Sequence, residues 1–169
     1  MGERRVIVDN LKVEYEGLFN FNELYILIST FFKHKGYDWV EKYAHEKVTK
    51  DGKFVEVHIE PVSKLTDYVK SIISIKLLAE NLKETTIVKD NYKIKLNDGK
   101  VKVVVSAFLE TDYEGKWEMK PLYYFLKTAL EKFVFTSPLS KYEDMVEDHA
   151  NELVKEVKSF LNLYRYNGS

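Results

Sequence analysis

The stretch YVKSIISIKLLAENLKETTIVKD, residues 68 to 90, decides the fold, because it can be read as one long strand or as a helix. Ile73, Ile75 and Leu77 alternate with Ser74 and Lys76, the period of two that a half-buried strand requires. Val69, Ile72, Ile73 and Lys76 fit a helical spacing only loosely. The segment therefore reads first as a single strand, kinked near Asn81, with a helix as the alternative.

On either side the pattern is of strands joined by tight turns, from about 38 to 113. Asp51-Gly52 and Asp98-Gly99 carry the dipeptide that favours the positive backbone angles of a two-residue hairpin loop. With Asp51-Gly52 as the loop, Lys50 faces Lys53, and Val48, Glu46 and Ala44 face Val55, Val57 and Ile59 on the core side. The other face then lines up Tyr43 with Glu60, His45 with His58, and Lys47 with Glu56. With Asp98-Gly99 as the second loop, Leu96 meets Val101, Ile94 meets Val103 and Tyr92 meets Val105.

Helices flank this block. Before it, RVIVDNLKVEY reads as a strand ended by Gly17, and Asn20 with Glu23 has capping-box spacing, with Phe19 and Leu24 placed as a hydrophobic staple. Leu24, Leu27, Ile28 and Phe31 continue at helical spacing, Lys33 to Lys35 suit the negative end of the dipole, and Gly36 suits the stop. After it, Pro121 opens a helix whose stripe is Leu122, Phe125, Leu126, Ala129, Leu130 and Phe133. A restart at Ser137 or Ser140 leads into about 25 residues with Tyr142, Met145, Val146, His149, Leu153, Val157, Phe160, Leu161 and Tyr164 on one stripe. The expected class is α+β, a curved antiparallel sheet with an N-terminal strand-helix unit and long C-terminal helices on one face.

Composition bounds the function. At 169 residues, 45% hydrophobic and 31% charged, the chain suits one globular domain over 1–166, with 167–169 expected as a disordered tail or a vector-derived scar. Its 26 basic residues are cancelled by 27 acids, so nucleic acid is disfavoured as the main partner. The absence of cysteine removes disulfides, thiolate zinc and a cysteine nucleophile, and fits a reducing cytosol. The longest apolar run, LYILISTFF at 24 to 32, is about half the ~20 residues of a membrane span, and no cofactor motif is legible.

Two constellations could carry chemistry. Histidines directly opposite on an antiparallel pair bring their Cβ atoms to about 4.5–5.5 Å, so His45 and His58 with Glu60 could hold a metal ion, against the plainer reading of a solvated face. The second is the acidic corner from Glu110 through Asp112 and Glu114 to Glu118, where clustered carboxylates can bind a cation or raise one another's pKa. The plainer reading is a strand-to-helix corner packed down by Tyr113, Trp117, Tyr123 and Tyr124. His149 lies on an apolar stripe and reads as a hydrogen-bonded core histidine.

FLETDYEGKWEMKPLYYFL at 108 to 126, with SFLNLYRY and NLKVEYEGLFNFNELY, resembles a group of small archaeal proteins sharing an ETDYE, Trp, KPLYYFL and FLNLYR order. That resemblance covers nearly the whole chain and implies an archaeal source but no site residue. The order strand, helix, antiparallel strands, long terminal helix also looks like the helix-grip arrangement of START and Bet v 1-like domains, which implies apolar ligands held between sheet and helix. The departures are one helix after the first strand where that arrangement has two, and an extra helix at 121 to 134. Taken together, the sequence favours a non-enzymatic domain binding an apolar small molecule or a protein partner through Tyr113, Trp117, Tyr123, Tyr124 and Phe125. An enzyme using the histidine pair or the acidic corner comes second. A structural or oligomeric role comes third.

Overall fold

In the computed structural model, which describes residues 2–115 and 139–167, the decisive stretch is one 21-residue strand, Val69–Lys89. In chain order the elements are β1 (Glu3–Phe19), α1 (Phe21–His34), β2 (Glu41–Thr49), β3 (Gly52–Ile59), β4 (Val62–Lys64), β5 (Val69–Lys89), β6 (Tyr92–Thr111) and α2 (Ser140–Asn167). The strands make one antiparallel sheet in the order β1-β6-β5-β3-β2, and β4 continues the line of β3 along β5. This is the α+β class. The expected helix at 121 to 134 lies outside the described residues, as do positions 168 and 169 of the expected tail, whereas Asn167 closes α2.

The kink expected near Asn81 is a β-bulge. The β5–β6 register shifts between Glu80 and Lys83, and Asn81 takes a left-handed φ of 55°. Both neighbouring strands meet the bulge with glycine. A Cβ on Gly52 of β3 would lie 2.7 Å from the Asn81 carbonyl carbon, and one on Gly99 of β6 would lie 2.9 Å from the Glu80 oxygen. Gly17 of β1 pairs with Gly99, so a line of glycines and a bulge crosses four strands.

That line corrects both hairpin expectations. Asp98-Gly99 is no loop, since β6 runs through it, and the turn is Asp90-Asn91, whose φ values of 50° and 66° are the positive pair of a type I′ turn. The first loop is Lys50-Asp51, with Thr49 opposite Gly52. The expected register slips by two residues. Tyr43 then pairs with His58 and His45 with Glu56, while Ala44 and Glu46 still share the face of Val57 and Val55. Glycine is spent at both places on close backbone approach to the bulge.

The first helix forms as its signals predict. The Asn20 side chain accepts from the Glu23 N–H at 3.1 Å, Asn97 accepts from the Phe21 N–H at 3.0 Å, and Phe19 and Leu24 are fully buried. Gly36 follows the helix at φ 79°. α2 packs on β1, β6 and β5 and touches α1, burying Val146, Ala150, Leu153, Val157 and Leu161 at helical spacing. These residues close over Ile73, Ile75 and Leu77 of β5 and Val101, Val103 and Val105 of β6, all unexposed. Each such side chain contributes about 1.5–3 kcal/mol on leaving water.

Candidate functional site

Past the bulge β5 and β6 continue as a two-stranded arm, because β3 pairing ends at Leu82 and β1 pairing ends at Asn97. Across the arm Thr85 pairs with Leu96 and Ile87 with Ile94 on one face. The last turns of α2 lie against that face. Between them is a half-open groove of about 370 Å³, lined by Leu18, Ile87, Ile94, Leu96, Phe160 and Leu163, with Glu23, Tyr164 and Lys89 as its polar members. Leu96 is buried, but Ile94 is 37% and Leu163 62% exposed.

One polar contact fixes the rim. The Tyr164 hydroxyl donates to Glu23 Oε2 at 2.6 Å, tying the end of α2 to the first turn of α1. Burial first, then the bond to the Glu23 carboxylate and its charge, push the phenol well above its ordinary range, so it stays a donor. Glu23 therefore serves α2, so the reciprocal half of the expected capping box does not form, and Asn97 instead meets the Phe21 N–H at the helix start. The Lys89 ammonium at the arm tip has no ion-pair partner among the described residues.

The sequence-predicted residues fall elsewhere. Trp117, Tyr123, Tyr124, Phe125 and Glu118 lie outside the described residues. Tyr113 donates to the Thr66 carbonyl at 3.0 Å, with the Lys64 and Lys70 ammoniums 5.8 Å and 5.4 Å from its ring. Glu110 is held by Arg4 and Lys70 at 3.3 Å and 3.4 Å, so this carboxylate of the acidic corner is charge-balanced. Asp112 is 3% exposed, in a left-handed conformation at the strand end.

The histidine pair is not a directly opposed pair. His58 Nε2 lies 2.9 Å from Ser74 Oγ and 3.4 Å from Glu60, while Glu60 also meets Lys42 at 3.4 Å. His45 stands over the Phe54 ring at 6.4 Å. Among the described residues no group of three or more His, Asp or Glu is placed to hold a metal ion. The reason is the register. A two-residue slip turns the direct His45–His58 contact into a diagonal one, which puts Tyr43 beside His58 and leaves Ser74 of β5 to satisfy it.

His149 is hydrogen-bonded within the fold. Its Nδ1 lies 3.0 Å from the Tyr37 hydroxyl, which also lies 2.9 Å from the fully buried Ser71 hydroxyl of β5. Burial, then the nearby Lys35 ammonium, lower its pKa below the usual imidazole value.

The groove escaped the sequence reading because its lining comes from residues 18 to 23, 87 to 96 and 160 to 164. The usable signal was Asp90-Asn91, since that loop sets Ile87 opposite Ile94. Compared with protein-family models, curated proteins and solved structures, the chain matches none, so the role of the groove is argued from its side chains.

Proposed function

We propose that this chain is a non-catalytic binding domain that holds an apolar small molecule between the end of α2 and the β5–β6 arm. In this reading the order is that of a helix grip, with the terminal helix closing the ligand against a curved sheet in a reducing compartment. The supporting observation is apolar surface left open at a concave place, with Leu163 and Ile94 exposed beside the Phe160 and Leu96 floor. Such surface costs roughly 25 cal/mol per Å² in water, so a molecule that covers it is favoured. A volume of about 370 Å³ suits a compact ligand rather than a long-chain lipid. Binding is favoured over catalysis because the groove is lined by apolar side chains with Glu23, Lys89 and Tyr164 at its edge, and His58, Glu110 and His149 do not line it.

The test begins with native mass spectrometry of gently purified protein, where a few hundred daltons above the denatured mass is expected. Titration with the dye 1-anilinonaphthalene-8-sulfonate should then give one saturable site. Leu163→Asp should abolish it, and Val48→Asp, at a site 78% exposed on the far hairpin, should not. Equal dye binding by both variants would remove the groove as the site.

A further inference from the structure

A second concavity runs along the seam between α1 and α2, which lie antiparallel: Glu23 meets Tyr164 at one end and Lys35 meets Glu152 at 2.7 Å further along. Two adjoining hollows of about 510 Å³ and 470 Å³ share Lys35 and Glu152. The α1 side is mixed: Ile26, Leu27 and Phe31 stand among Glu23, Thr30, His34 and Lys35. Its open apolar surface is that of Ile26, 58% exposed, and the half-buried Leu27, with Phe31 buried beneath them. The α2 side runs from Lys141 to Glu156, roughly 23 Å at ~1.5 Å per residue, or about four helical turns.

That side is acidic in a way that α2 itself does not favour. Asp144, Asp148, Glu152 and Glu156 follow one another at intervals of four, so each carboxylate stands beside the next along the helix. Like charges at that spacing weaken a helix. Glu152 alone of the four has an ion-pair partner among the described residues, Lys35. Counting Glu23, the seam holds five carboxylates against the two ammoniums of Lys35 and Lys141, whereas the whole chain is nearly neutral at −1. His149 on the seam floor adds no positive charge at neutral pH, because burial and Lys35 favour its uncharged form.

We infer that this seam docks a basic amphipathic helix of a partner protein. Its apolar side would pack on Ile26 and Leu27, and its Lys or Arg side chains would reach Asp144, Asp148 and Glu156. Apolar surface on the α1 wall of the first hollow, with a line of carboxylates along both hollows, is the complement of such a helix. The same charge repels nucleic acid and anionic membranes. The inference does not rest on the proposed ligand groove, with which the seam shares Glu23.

The experiment is fluorescence anisotropy with a labelled four-turn amphipathic peptide carrying Lys on its polar side, and a twin with Glu in place of every Lys. The Lys peptide should bind, weakening at least tenfold between 50 and 500 mM salt, and the Glu twin should not. Asp144→Asn, Asp148→Asn and Glu156→Gln combined should weaken it at least tenfold without loss of thermal stability. The charge-matched control Glu14→Gln, Glu16→Gln and Glu84→Gln, at exposed sites away from the seam, should bind as wild type. Equal binding of both peptides, equal effects of the two triple variants, or no binding at low salt would each overturn the inference. Dye binding to the arm groove should be unchanged throughout.

Discussion

On one side of Asn81 and Gly99, the β5–β6 pair lies in the middle of the sheet with Ile73, Ile75, Leu77, Val101, Val103 and Val105 sealed from water. On the other side, the same two strands continue as an arm in which Val88 and Tyr92 are 70% and 74% exposed. The arm is less apolar, with Ile87, Val88, Tyr92, Ile94 and Leu96 set among Lys, Glu, Thr and Asn. Its company differs too: body strands have β1 and β3 as neighbours and α2 over one face, while among the described residues the arm meets the last turns of α2 and Leu18 and Glu23 at its base. A two-stranded hairpin alone is marginal in water, so the packing on Leu18, Phe160 and Leu163 helps to hold the arm in place. Stability therefore resides in the body, and the arm keeps open apolar surface.

The largest test of this contrast is a matched pair of truncations. Leu77→Ala in the body removes a fully buried side chain and should cost about 2–5 kcal/mol, through lost transfer energy and the cavity left behind. Ile94→Ala in the arm, already 37% exposed, should cost under about 1 kcal/mol. Urea unfolding of both variants measures the difference. Equal losses would mean that the arm is as much a part of the core as the body.

The boundary itself comes next. Gly52→Ala places a Cβ 2.7 Å from the Asn81 backbone at a φ of 134°, so β3 or the bulge must move. About 2 kcal/mol of destabilisation is expected. Amide exchange should quicken first at residues 79 to 84. If exchange quickens only in the Lys50-Asp51 loop, Gly52 serves the turn rather than the bulge.

That glycine also explains what was legible in the sequence. Several elements were, because each is written locally: Asn20 before Glu23 for a helix start, the alternation Ile73, Ile75, Leu77 for a strand, and the stripe from Tyr142 to Tyr164 for α2, whereas β6 read as two strands of a hairpin about Asp98-Gly99. Asn81 was a visible kink. Register was not legible, because Asp-Gly suits a tight turn and a close backbone approach equally well. Which of the two applies depends on a bulge some 20 to 30 residues away in sequence for Gly52 and Gly99. The candidate groove was hidden for the same reason, and so was the fate of the two histidines.

Smaller effects come from the ties between the body and the helices. Asn97 sits where β1 pairing ends and accepts from the Phe21 N–H, so Asn97→Ala should leave that donor unmet and cost about 1 kcal/mol. Circular dichroism melts would register it, and an unchanged melting temperature would mean that water replaces Asn97 fully.

His149 gives the contrast a pH dependence. The unfolded chain binds its proton near pH 6.5, while burial and then Lys35 hold the folded imidazole lower. Between those two values the unfolded state carries more protons, so stability rises with pH and is lost as pH falls below about 6.5. The groups facing the imidazole are Tyr37, Lys35, Asp148 and Glu152, of which the two acids oppose the shift. Replacing His149 with Asn should flatten the unfolding free energy between pH 7 and 5 relative to wild type, by less than one proton's worth of slope. An identical slope in the two proteins would show that the imidazole titrates as it does in the unfolded chain.

The smallest expected effect is at the arm's outer surface. Val88 pairs with Lys93 on the face away from the groove and is 70% exposed, so Val88→Thr removes little buried area and keeps the branched Cβ that suits a strand. Stability should stay within about 0.5 kcal/mol of wild type. Dye binding at the groove should be unaffected as well, since Val88 is not among its lining residues. A loss above about 1 kcal/mol would mean that this face is covered in solution, and the arm would then be an interface rather than one wall of a ligand site.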